Sequence, residues 1–173
     1  MLKNNHAFSL IEMLLVLVII GIILGLAFPS FSDVLSRNRA TVHAQQIATA
    51  LKLARMAAIS RCETVRFCKS RDHKTCSGNW RDGQIILTQN NAVLRVFDAL
   101  PAGDQLFWQS SFSKNDYLEF LPSGNTNAQQ GSFYYCPKNI SQARAVIIQQ
   151  TGHMRISDKT AKGTKISCDY GTD

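Results

Sequence analysis

The chain has 173 residues, with 19 Lys or Arg against 12 Asp or Glu and a formal charge of +7. Set apart from an apolar N-terminal run, roughly 140 residues remain, enough for one globular domain with its own core and no second one. The basic balance suits anionic partners such as DNA, phospholipid or lipopolysaccharide, but charge alone selects none of them, and a solvated basic surface has the same composition.

A polar leader, Met1-Leu-Lys-Asn-Asn-His-Ala7, precedes Phe8-Ser-Leu-Ile-Glu12 and an uncharged apolar run from Met13 to Phe28. Phe8 to Phe28 as a helix measures about 31 Å, enough to span a bilayer. Lys3 on the short leader favours a cytoplasmic N-terminus, which leaves the bulk of the chain outside the inner membrane. Glu12 stands at the head of the run, where a carboxylate in hydrocarbon is disfavoured unless it finds a partner. Ala7-Phe8-Ser9-Leu10-Ile11-Glu12 resembles the processing site of type IV prepilins and type II secretion pseudopilins. The resemblance implies that a prepilin peptidase cuts between Ala7 and Phe8 and that the new N-terminus is methylated. It also implies that Glu12 pairs with a neighbouring subunit's N-terminus in the filament. Ala7 departs from the usual Gly before the cut. A plain membrane anchor is the alternative reading of the same run.

Pro29 is expected to kink the helix rather than end it. Beyond it, Ile47, Leu51, Ala54 and Ala58 recur at helical spacing and should pack under a sheet, with Thr41, Gln45, Lys52, Arg55 and Arg61 largely elsewhere. From Cys62 the texture turns to β. Strands are predicted at 64–68, 83–88, 92–97, 106–108, 117–121, 132–136 and 144–148, with a last one at 154–156 or 165–168. Asn90-Asn91 reads as a hairpin turn, Pro101-Ala-Gly103 and Pro122-Ser-Gly124 as turns, and 125–131 as a polar loop. The fold class is α+β, one long helix on an antiparallel sheet or on two small sheets. The expected segments are a leader, 1–7; a membrane or filament-core helix, 8–29; an amphipathic helical half, 30–61; and a β-rich head, 62–173.

Five cysteines in a chain bound for an oxidising compartment leave at least one unpaired within the monomer. Cys68 and Cys76 flank a short polar loop and are the expected local bridge; Cys136 and Cys168 are the expected long-range bridge, with Cys62 left over. Connectivity itself is not readable from spacing. No phosphate loop, His-Glu-x-x-His or nucleophile elbow is present, so no catalytic residue, cofactor or metal is expected. Cys62, Cys68, His73 and Cys76 match no zinc-finger spacing. His6, His43 and His153 read as solvated or helix-surface residues.

Across nearly its whole length the chain resembles the FimT/FimU/GspH group of minor pilins and pseudopilins. The residues that carry this are 53–61, Val65-Arg-Phe-Cys68, Cys76-Ser-Gly-Asn-Trp80-Arg-Asp-Gly83, 94–101, Phe120-Leu-Pro-Ser-Gly124 and Gly152-His-Met-Arg155 before Cys168. The group implies a type IV pilin fold, other minor and major pilins as partners, and passage from the inner membrane to an extracellular pilus. It implies a subunit that primes pilus assembly near the tip, as in its FimU branch. Its FimT branch implies capture of double-stranded DNA through a Gly-Arg-x-Arg pattern in a flexible C-terminal region. Here that pattern falls on Gly152 to Arg155, with His153 in place of the first Arg. Arg144, Arg155, Lys159, Lys162 and Lys165 are the candidate phosphate contacts, with 160–164 expected to be mobile. The secretion branch is a further alternative.

Overall fold

In the computed structural model, residues 9–111, 116–138 and 143–168 are described, with only the backbone over 26–37. Ala7, Phe8 and His6 lie outside them. One helix, α1 (Leu10–Arg61), takes in position 29, so Pro29 does not end it. The chain divides into two compact units, Met1–Ser36 and Arg37–Asp173, so the helix from 37 onward belongs with the head.

In the first unit residues 9–25 are all exposed. Its large apolar side chains, Leu10 through Leu24, are 46 to 82% exposed. Among the described residues no helix is long and apolar enough to cross a membrane.

Among the described residues the second unit holds eight strands: β1 (Val65–Lys69), β2 (Gln84–Thr88), β3 (Val93–Phe97), β4 (Gln105–Ser110), β5 (Tyr117–Phe120), β6 (Gly131–Cys136), β7 (Arg144–Ile148) and β8 (Met154–Ser157). They form two sheets, ordered β3-β2-β1-β5 and β4-β6-β7-β8, and every pairing is antiparallel. Of the two arrangements open from the sequence, the two-sheet one is observed. The last strand is at Met154, and the 165–168 alternative is not a strand, holding only an isolated bridge from Lys165 to Lys159.

Alternation explains how both sheets share one core. Val65, Phe67, Ile86, Leu118 and Phe120 of the first sheet, with Phe133, Tyr135, Val146 and Ile148 of the second, bury against the helix stripe Ile47, Leu51, Ala54 and Ala58. Ala40, Ala44 and Ala50 are buried beside them, small enough to admit large rings. Trp80 lies 4.9 Å from Phe133 and 5.6 Å from Phe67, one ring from each sheet, and its indole N–H donates to Asp116 at 2.9 Å. Asp82 accepts from Arg71 at 2.8 Å and from the Asn79 backbone at 3.1 Å. The Trp80-Arg-Asp-Gly83 pattern is therefore a piece of core and its lacing.

The opposite face of the second sheet is covered by the chain's own tail. Tyr134, Cys136, Ala145 and Ile147 pack against Ile166 and Cys168. Cys136 is bonded to Cys168, and Cys68 to Cys76, while Cys62 is free and exposed.

The segment expected as a polar loop, 125–131, is a loop up to the start of β6, but it is anchored to the head by buried residues. Thr126 and Gln129 are buried. The Gln129 amide accepts from the Glu119 N–H at 2.7 Å and donates to the Tyr117 carbonyl at 3.1 Å. Asn127 N–H donates to the Glu119 carbonyl at 3.1 Å, and Leu121 N–H to Asn125 at 2.8 Å. The loop thus occupies the outward backbone groups of β5, as a further strand would.

Candidate functional site

Glu12 sits in the first turn of α1, after Ser9, whose carbonyl accepts from the Glu12 and Met13 amides at 3.1 and 3.2 Å. A carboxylate there is favoured by the unpaired N–H groups and dipole of the helix start. It is the single charge among the described residues of an otherwise apolar segment, 9–25. Such a sleeve is stable in water only when something apolar surrounds it, whether lipid or other helices. Its chemistry is that of docking, with one ionic group to set the register.

The basic residues divide. Register places Arg155 opposite Ile147, on the tail-covered face of the second sheet, and Arg144 opposite Tyr135, on the face toward the helix. Arg144 therefore does not join Arg155 in one patch. Lys159 and Lys165 pair across an isolated bridge, and Lys162 lies in the turn between them. Arg155, Lys159, Lys162 and Lys165 are exposed, and none has an ion pair among the described residues.

Two features of this tail have local structural reasons. The 160–164 segment is a hydrogen-bonded turn: Thr160 N–H donates to the Thr164 carbonyl at 2.9 Å, Gly163 N–H to Thr160 at 2.9 Å, and the two threonine hydroxyls meet at 2.7 Å. Short polar side chains close this turn on themselves, and the 136–168 disulfide holds its far end. Gly152 has a packing reason of its own. Its φ is +73°, and a Cβ there would overlap the Gly124 carbonyl. Arg55 clasps the same place, donating to Gly124 O at 2.8 Å and Thr151 O at 3.3 Å.

The expectation for His43 is corrected: it is partly buried and stacked on the Tyr135 ring at 4.8 Å. Burial lowers its pKa from 6.5, partly opposed by Asp104 and Gln46. Tyr135 donates its hydroxyl to buried Asp104, which also accepts from the Lys138 N–H at 2.9 Å. Burial, followed by that hydrogen bond, pushes the phenol pKa up. The stripe 47, 51, 54, 58 continued one turn back reaches 43, a signal that points to burial. Among the described residues no cluster of three His, Cys, Asp or Glu could hold a metal ion.

Residues 43–152 match the family model described as type II transport protein GspH, and residues 2–28 match the prokaryotic N-terminal methylation motif. A comparison with curated protein sequences finds no match. The fold is similar to that of the type IV minor pilin FimU of Pseudomonas aeruginosa, at 21% identity and a TM-score of 0.58, over 73% of this chain and 96% of that one. A second crystal form of FimU gives 20% identity and 0.53, over 71% and 98%. The minor pseudopilin EpsH of the type 2 secretion system of Vibrio cholerae gives 18% identity and 0.51, over 68% and 95%.

Proposed function

Because the chain belongs to the GspH family of type II transport proteins and is a minor pilin or pseudopilin, we propose that it is a type IV pilus subunit that helps prime assembly near the tip. The observation that carries this reading is the contrast between an exposed apolar helix with one acid, Glu12, and a head that encloses a hydrophobic core of its own. The leader 1–7 is removed between Ala7 and Phe8 by prepilin peptidase. The segment 8–29 waits in the inner membrane, N-terminus cytoplasmic and head periplasmic, and then enters the fibre core beside other minor and major pilins. Glu12 compensates the new N-terminal amine of a neighbour, so the acid leaves hydrocarbon paired. Its role is structural, with no enzymatic step. The test is Glu12→Ala in the full chain: processing continues, and the subunit disappears from sheared fibres. Normal incorporation of the processed variant sinks the reading.

A second reading, capture of DNA during uptake, is favoured by one observation, the exposed cations Arg155, Lys159, Lys162 and Lys165 along β8 and the turn beyond it, none ion-paired among the described residues. Phosphate contacts of this kind are salt-sensitive and indifferent to sequence. Arg155→Gln with Lys162→Gln then weakens DNA binding for all sequences and flattens its salt dependence. Binding unchanged by that pair removes the tail from any DNA site. Membership of a secretion pseudopilus is the third reading, and it is distinguished by which fibre retains the subunit.

A further inference from the structure

The first sheet ends in β5 on one side and in β3 on the other, and the two edges differ. Along β5 the Tyr117 carbonyl, the Glu119 N–H and carbonyl and the Leu121 N–H are taken by residues 125–129. Along β3, among the described residues, Val93–Phe97 pairs with β2 and with nothing else. Val93 and Val96, opposite Leu87 and Ile85, are 40 and 38% exposed. Between β3 and the helix lies an open cavity of about 620 Å³, walled by Val42, Gln46 and Thr49 on α1 and by Arg95, Phe97 and Leu100 on the other side. Arg95 and Asp98 carry opposite charges three residues apart, and neither has an ion pair among the described residues. Sheet edges are ordinarily blunted by charge, a bulge or a cover. β3 has Arg95 and an irregular register at Ile86/Leu87, but no cover.

We propose that the β3 edge and the cavity behind it receive an extended strand from a neighbouring, different subunit of the fibre, which joins the first sheet as its fifth strand. This rests on the assembly reading above. The outward amides and carbonyls of β3 need a partner whose backbone is free to bond. A helix has spent its own backbone groups and, about 10 Å across, cannot come within strand spacing. A strand lies roughly 4.7–4.9 Å from its neighbour, which sets it over the cavity between β3 and α1. Its inward side chains fill that space, and its outward ones cover Val93 and Val96. The charges specify the rest: a carboxylate to meet Arg95 and, near Asp98, a cation. A second copy of this chain fits poorly. In a two-fold antiparallel pair, residues directly opposed have numbers of like parity, so Arg95 never faces Asp98 and both charges stay unmatched.

The experiment places a photo-reactive phenylalanine analogue at position 96, and separately at Met56 on the exposed helix, in the full chain expressed with its assembly system. Sheared fibres are irradiated and the adducts sequenced by mass spectrometry. The expected result is an adduct from position 96 to an extended, acid-bearing segment of another pilin. Arg95→Glu lowers its yield at least about tenfold through like-charge repulsion, Arg95→Lys retains it, and the melting temperature of the head is unchanged by either. The inference is overturned if the subunit is in the fibre but position 96 reacts with a helix, with a second copy, or with nothing while position 56 reacts. A subunit missing from fibres altogether, with Glu12 and Arg95 intact, removes the assembly reading and this inference with it.

Discussion

The described part of the N-terminal unit and the head treat the same kind of residue in opposite ways. Leu17 stands 64% exposed in one, while Phe133 is fully buried in the other. A fully buried apolar side chain contributes about 1.5–3 kcal/mol to the unit that encloses it. The residues between 10 and 25 collect none of this from their own chain. The head encloses a core of its own; residues 10–25 enclose nothing.

The sharpest way to break that comparison is a pair of truncations. Phe133→Ala should lower the unfolding free energy of the head by about 3–5 kcal/mol, read from denaturant midpoints. Leu17→Ala should leave the same midpoint within about 0.5 kcal/mol. Equal effects would mean that the N-terminal segment supports the head. Next in size, Cys136→Ser with Cys168→Ser should cost about 3–4 kcal/mol and uncover the apolar face under the tail, measurable by dye binding. Gly152→Ala, forced to a positive φ against the Gly124 carbonyl, should cost about 1–3 kcal/mol in the same denaturation assay. The smallest effect concerns pH. Because burial lowers the His43 pKa, the unfolded chain takes up its proton first as pH falls. The contribution of His43 is complete above about pH 6.5, its unfolded value, and is lost as pH drops through the lowered folded value. His43→Phe should therefore flatten the pH dependence of the melting temperature just below 6.5, and a parallel shift at all pH values would contradict this.

Much of the head was legible because alternation is local. Val65 and Phe67, or Val146 and Ile148, announce a buried face by their own spacing. The Asn90-Asn91 turn was readable for the same reason; Asn91 takes φ +60°, which Asn tolerates. Illegible features depend on which strand meets which. Nothing local separates eight antiparallel strands into two sheets, or says that Arg144 and Arg155 fall on opposite faces, since that depends on the β6-β7-β8 register. Residues 125–131 were legible as a loop but not in their role, because a run of Asn, Thr and Gln is polar whether it faces water or satisfies a backbone edge. Gln129 does the second. Of the candidate site, Glu12 and the tail lysines were visible as residue types in place. The open β3 edge was invisible, because an edge is defined by the strand that fails to appear beside it.

The amide of Gln129 has a consequence for crowding. A sheet with two receptive ends can add copies from both sides and grow into a ribbon, the route to cross-β deposits. A sheet plugged at one end by its own side chain is a chain terminator: it can accept a single addition at the other end and then stops. Through this sheet, heads at high local density are therefore kept from growing into a ribbon, and the plug, synthesised as part of the same polypeptide, cannot be diluted away.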